Sequence, residues 1–197
     1  MKLTHVEAAL LAGGASRRMG RDKASVEWHG VPMARHVAVA LGSCVERVRI
    51  VLRPAAPNPT DLERIDDLHA ARAPIVGVHA ALRACEASAV LVASCDIPEL
   101  DPRVVLALLA LVPAEGGSDI VAPETQSGPE PLLAVYRPRI LPEVERRIGE
   151  GTLALHALLD AVETRLIPAD ELRTLDPELR SLRNVNRPAD LSGQSRR

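Results

Sequence analysis

"VEAALLAGGASRRMGRDKA", residues 6–24, passes from an apolar stretch through two glycines into a burst of charge. Val6–Leu11 is a short apolar run ending at turn residues, the pattern of a buried strand. Gly13 and Gly14 leave backbone N–H groups open at the strand's carboxyl end, and such amides cradle phosphate oxygens. Arg17, Arg18, Arg21 and Lys23 follow, with Asp22 among them. Arg18 and Lys23 are thereby placed to neutralise a triphosphate from the side. Two familiar phosphate loops are excluded. Five residues separate Gly14 from Gly20, and Arg21 and Asp22 intervene before Lys23, which breaks GxxxxGK[ST]; a GxGxxG fingerprint is also missing.

Outward from this loop the chain alternates. Val48–Leu52, Val90–Ala93, Asp119–Ala122 and Leu132–Tyr136 read as further buried strands. Between them lie helical spacings: Met33, Val37 and Leu41 after Pro32; Val104, Val105, Leu108, Leu109 and Val112 after the cap Asp101-Pro102; and Leu141, Val144 and Ile148 from Arg139. Gly149 and Gly151 interrupt the last, and Leu153–Leu159 resumes a helical pattern. Strand–helix alternation predicts an α/β fold, a Rossmann-like three-layer α/β/α domain with a mostly parallel sheet. The domain is expected over 1–191, with a surface loop at 53–61 and a disordered tail at 192–197.

Composition narrows the function. The chain has 197 residues, 47% apolar and 25% charged, enough for one domain with a core. A net charge of −2 gives no global field for nucleic acid or an anionic membrane, so the cations at 17–23 are a local concentration. Trp28 and Tyr136 are the only aromatics, too few to stack single-stranded nucleic acid. Cys44, Cys85 and Cys95 lack CxxC spacing and suit small core fillers in a reducing compartment. No apolar run approaches ~18 residues, and the first one contains Glu7, so a cytoplasmic protein without signal peptide or membrane span is expected.

"VLVASCDIPEL", residues 90–100, places Asp96 at the carboxyl end of a strand, the same edge as Gly13-Gly14. Ligands of open α/β sheets bind at that edge. A carboxylate facing a phosphate loop repels its ligand unless a cation lies between them. Magnesium, which takes one or two carboxylates plus phosphate oxygens, removes the conflict.

Together, "LAGGASRRMGRDKA" and "SCDIPEL" resemble the molybdenum cofactor guanylyltransferases, within the wider nucleotidyltransferases. "APIVGVHAAL" (73–82), "GPEPLLAVY" (128–136) and "LRNVNRPADL" (182–191) extend the resemblance from about Val6 to Leu191. It implies transfer of GMP from GTP to the phosphate of molybdopterin, releasing pyrophosphate, on a nucleotide-diphospho-sugar transferase-like fold. It also implies that Leu11, Ala12, Gly13 and Gly14 hold the nucleotide, Arg18 and Lys23 bind its phosphates, and Asp96 ligates magnesium. Either Asp66 or Asp67 aligns with the guanine-reading aspartate. Gly128, Glu130 and Pro131 shape the acceptor cleft, and Asn184 and Asn186 match residues on the pterin side. Molybdoenzymes or cofactor-delivery proteins are the candidate protein partners.

The chain departs from the family pattern at three places. Ala73 replaces a glycine, Arg53 stands where an asparagine is usual, and Gly151-Thr152 occupies positions where relatives carry arginine. Two other readings stay open: a related nucleotidyltransferase using CTP or a sugar phosphate, and a nucleotide-binding relative without catalysis.

Overall fold

The computed structural model describes residues 2–13, 23–113, 115–186 and 190. The chain begins with β1 (Val6–Leu11) and a small hairpin of β2 (Glu27–Trp28) and β3 (Val31–Pro32), turning at His29-Gly30, both at positive φ. Next come α1 (Met33–Cys44), β4 (Val48–Leu52), β5 (Glu63–Asp66), α2 (Pro74–Ala84), β6 (Ala89–Ser94) and α3 (Pro102–Ala110). The second half supplies β7 (Ile120–Thr125), β8 (Gly128–Pro129), β9 (Leu133–Tyr136), α4 (Leu141–Gly149), α5 (Leu155–Leu159), β10 (Thr164–Pro168) and α6 (Ala169–Leu172).

One eight-stranded sheet organises these elements in the order β10-β7-β9-β6-β1-β4-β5, with β8 paired to β7. Pairing is parallel from β6 through β1 and β4 to β5, and between β10 and β7. Only β8 and β9 run antiparallel to their neighbours. The expected mostly parallel sheet is therefore present.

Strand alternation sends side chains to two faces. Ala8, Leu10, Ile50, Leu52, Leu91 and Ala93 pack with α1 and α3 on one face. Ala9, Val51, Val90 and Val92 meet α2, α4 and α5 on the other. Both faces are covered, which is why the central strands read as continuous apolar runs. Cys44 and Cys95 are buried fillers of the first face, and Cys85 is half-buried, with burial pushing its thiol up. At the amino edge, buried Glu7 accepts a hydrogen bond from Arg49 Nη2, and Arg49 also donates to the Ala84 carbonyl at 2.6 Å. No helix among the described residues is long and apolar enough to cross a membrane.

The structure adds β5, α2 and β10, which the sequence reading did not name, and shifts some boundaries. The helical pattern from Arg139 starts as a 3-10 turn, Pro138–Ile140, before α4, and the pattern of 153–159 becomes helical only at Leu155. The 53–61 stretch is a loop, as expected, pinned by Asn58 through Thr60 and the Leu62 carbonyl. Residues 192–197, expected to form a tail, lie outside the described residues.

Candidate functional site

Chain order fixes where a cleft can form. From β1 the chain moves outward through β4 to β5, then returns to place β6 on β1's other side. α1 covers one face and α2 the other, so β1 and β6 flank a topological switch point. Carboxyl ends of such strands open a crevice between oppositely directed crossovers.

The two strand ends are joined directly. Cys95 N–H donates to the Leu11 carbonyl at 3.1 Å, and Ala12 N–H donates to the Val51 carbonyl at 3.0 Å. Leu11, Ala12 and Gly13 thus leave the sheet beside the turn that carries Asp96. Leu11 tucks against α2, where a Cβ on Gly77 would lie 3.1 Å from its Cδ1. Gly77 allows the helix to approach this strand end. Gly14 and Arg18 lie outside the described residues; the backbone of Lys23 opens a 3-10 turn, Lys23–Ser25, and its side chain also lies outside them.

Asp96 is half-buried, and its Oδ1 accepts a hydrogen bond from the Ser94 hydroxyl. Its carbonyl accepts from Val185 N–H at 2.8 Å. That bond draws the chain after α6 back over the cleft. The same segment is held by Asp101 N–H to Ser181 Oγ at 2.9 Å and by Ser181 N–H to Asp176 Oδ2 at 2.8 Å. Asn184 and Asn186 are thereby delivered to the edge where Asp96 sits.

Beside Asp96 opens a cavity of about 420 Å³ whose lining includes Asp96, Glu130, Pro131, Asn184 and Asn186. Five sequence-predicted residues therefore meet in one space. Gly128, which opens β8 at φ +110°, adjoins lining residues Ser127 and Pro129 without lining the cavity itself. The wall is rigidly built. Ser94 N–H donates to the Leu132 carbonyl at 2.8 Å, Glu130 N–H to Pro123 at 2.9 Å, and Tyr136 Oη to the Pro131 carbonyl at 2.6 Å. Tyr136 is fully buried, which pushes its phenol well above the usual range and keeps it a donor. Burial also raises the Glu130 carboxyl; His156 opposes that shift and Asp96 adds to it.

Asp66 and Asp67 separate clearly. Asp66 ends the edge strand β5, exposed, and pairs with Arg64 at 2.6 Å. Asp67 is buried: its Oδ1 accepts from His69 N–H at 3.1 Å, and its Oδ2 lies 3.7 Å from Arg53 Nε. Arg53 also donates to the carbonyls of His69 and Ala71 at 2.5 and 2.6 Å. Its Cγ would stand 3.6 Å from a Cβ on Gly13. Arg53 thus anchors the segment after β5 close beside the end of β1. His156, from the start of α5, lines the cavity and is a residue that sequence reasoning passed over.

A glycine strand end, a strand-end carboxylate across the switch point and a cavity beside them define a doubly wound α/β protein with a cleft at the carboxyl edge of its sheet. Residues 8–165 match the model of the MobA-like NTP transferase domain, and the chain belongs to that family. It is 32% identical over 188 residues to a molybdenum cofactor guanylyltransferase of Desulfosudis oleivorans, covering 94% of this chain and 92% of that one. Its fold is similar to the crystal structure of molybdopterin-guanine dinucleotide biosynthesis protein A from Archaeoglobus fulgidus. The TM-score is 0.80 and the identity 30%, covering 95% of each chain. A crystal structure of an Aquifex aeolicus protein is also similar, with TM-score 0.74 and 26% identity over 93% of this chain and 94% of that one.

Proposed function

We propose that this protein transfers GMP from GTP to the terminal phosphate of molybdopterin, releasing pyrophosphate. The observation that carries the reading is the junction of β1 and β6, where the Leu11–Gly13 backbone and Asp96 share one edge and the acceptor cavity opens beside it. The names of the relatives, a molybdenum cofactor guanylyltransferase and a molybdopterin-guanine dinucleotide biosynthesis protein, support a guanylyl group as what is transferred and molybdopterin as the acceptor.

In this reading Leu11, Ala12, Gly13 and Gly14 hold the nucleotide, while Arg18 and Lys23 contact its phosphates. Asp67 reads the base: buried and held by His69 N–H, it keeps lone pairs for guanine N1–H and the exocyclic amine. Asp66, exposed beside Arg64, is the less suited of the two. An acceptor phosphate is largely dianionic at pH 7, its second pKa being ~6, so no general base is required. Its oxygen forms a bond to the α-phosphorus of GTP, the bond to the β-phosphate oxygen breaks, and pyrophosphate leaves with that electron pair. Catalysis is then positioning and charge stabilisation by Arg18 and Lys23.

Magnesium fits the residues present. Asp96 offers a hard carboxylate oxygen to the cavity, and this ion habitually takes few protein ligands and completes its shell with phosphate and water. When bound it supplies the positive charge that lets Asp96 face a triphosphate. Asn184 and Asn186 contact the acceptor, with Pro131 and the Gly128 turn shaping the wall. A cytoplasmic location suits a GTP-consuming reaction.

A thermal-shift panel of the four nucleoside triphosphates with magnesium tests the nucleotide half. GTP should raise the melting temperature most, by mass action, and Lys23→Ala should remove the shift while folding normally. An equal response to all four, or an undiminished shift in Lys23→Ala, would contradict the assignment.

A further inference from the structure

Glu130 is a carboxylate in the acceptor cavity that phosphoryl transfer does not use. Its backbone is fixed at both ends, N–H to the Pro123 carbonyl at 2.9 Å and carbonyl to Leu133 N–H at 3.1 Å. The side chain is half-buried, yet it makes no hydrogen bond or ion pair with any described residue. A carboxylate so placed has lost water without gaining a donor, and a ligand donor would restore what it lacks. Only donors suit it, because an ionised carboxylate solely accepts. A phosphate in direct contact with it would be repelled.

The rest of the lining suits a flat heterocycle. Ile97, Pro131, Leu132, Leu153 and Leu182 offer apolar surface, and about 420 Å³ lies within the range of small-molecule sites. Two adjacent carboxylate oxygens match two adjacent N–H donors side by side. The 2-amino-4-oxo edge of a pterin presents such a pair, its N3–H and 2-amino groups.

We propose that Glu130 reads the 2-amino-4-oxo edge of the acceptor's pterin ring. The ring meets Glu130, and the acceptor's phosphate lies off that carboxylate, toward the strand ends of β1 and β6. This rests on the acceptor reading above and adds to it a residue that sets acceptor specificity.

The test is equilibrium binding of free pterin and of lumazine, its 2,4-dioxo analogue, to the full chain at pH 7, followed by pteridine fluorescence. Lumazine puts a carbonyl where pterin has the amine, so pterin should bind at least ~10-fold more tightly. Glu130→Gln, folded as judged by circular dichroism, should erase that preference, and Glu130→Asp should retain part of it. Saturating GTP with magnesium should leave pterin bound. Equal binding of the two pteridines by the wild type, or no measurable pterin binding, would overturn the proposal; the wild-type comparison needs no variant. So would a preference that survives in Glu130→Gln, or competitive displacement of pterin by GTP, which would make the cavity the guanine site. A loss of magnesium-dependent GTP binding in Glu130→Gln would make the residue a metal ligand instead. Wild-type turnover of GTP with molybdopterin separates the two readings: turnover without pteridine discrimination sinks only this inference.

Discussion

Replacing Asp67 by asparagine should convert a GTP-selective enzyme into a poorly selective one. The residue is only 5% exposed, so its carboxylate meets a ligand with little competition from water. The asparagine keeps the size of the side chain, and its amide oxygen can still accept from His69 N–H, which reaches Oδ1 at 3.1 Å. The amide nitrogen then stands where Oδ2 was, facing Arg53 Nε at 3.7 Å and the two donors of guanine. Losing one bidentate base contact costs ~1–3 kcal/mol, about 5- to 150-fold in the ratio of kcat/KM for GTP over CTP. Folding should suffer less, by ~1 kcal/mol, because Arg53 retains the carbonyls of His69 and Ala71. Asp66→Asn is the internal control. It breaks an exposed pair with Arg64, worth ~0–1 kcal/mol, and should leave selectivity unchanged. Steady-state kinetics with both nucleotides for the three proteins decides the matter. Unchanged selectivity in Asp67→Asn, or lost selectivity in Asp66→Asn, would refute the reasoning.

Three more outcomes are expected. Asp96→Asn keeps an acceptor for the Ser94 hydroxyl, so the fold should hold while turnover falls ~100-fold or more and the magnesium titration shifts; an unaltered titration would contradict the metal role. Gly77→Val would drive its side chain into Leu11, costing ~1–3 kcal/mol in denaturant unfolding and raising the KM for GTP through the displaced β1 end. Asp101→Ala removes the cap whose carboxylate accepts Arg103 N–H at 2.8 Å, at a cost of ~1 kcal/mol at neutral pH. Arg103 holds the Asp101 carboxyl below the usual carboxylate range, so the native state takes up its proton less readily than the unfolded chain. The cost should therefore be complete above the unfolded pKa of ~4 and shrink as pH falls through the folded value, read by urea unfolding at pH 7 and pH 3.

Legibility followed burial. β1, β4 and β6 lie inside the sheet with helices on both faces, so their apolar runs were plain in the sequence. β5 and β10 are edge strands with exposed residues, and "ERID" and "TRLIP" carry no such run. α2 was obscured because Gly77 and the β-branched Ile75, Val76 and Val78 are weak helix formers that its packing overrides. The antiparallel course of β9 left no local trace, since pairing direction is a tertiary fact. At the site, Gly13 and Asp96 could be placed together because parallel strands end at one edge. Asp66 and Asp67 could not be distinguished, because neighbouring residues point opposite ways and only the pairing of Asp66 with Leu52 sets which one is buried. His156 reaches the cavity from a separate segment with no motif announcing it, and Arg53 showed in the sequence only as a departure from the family pattern.

Pyrophosphate release measured with purified protein, magnesium and molybdopterin tests the central claim most directly. The account predicts release with GTP that requires the acceptor and yields a guanylylated pterin, with CTP at least ~100-fold less effective. Release that proceeds without molybdopterin, or runs faster with CTP than with GTP, would contradict it.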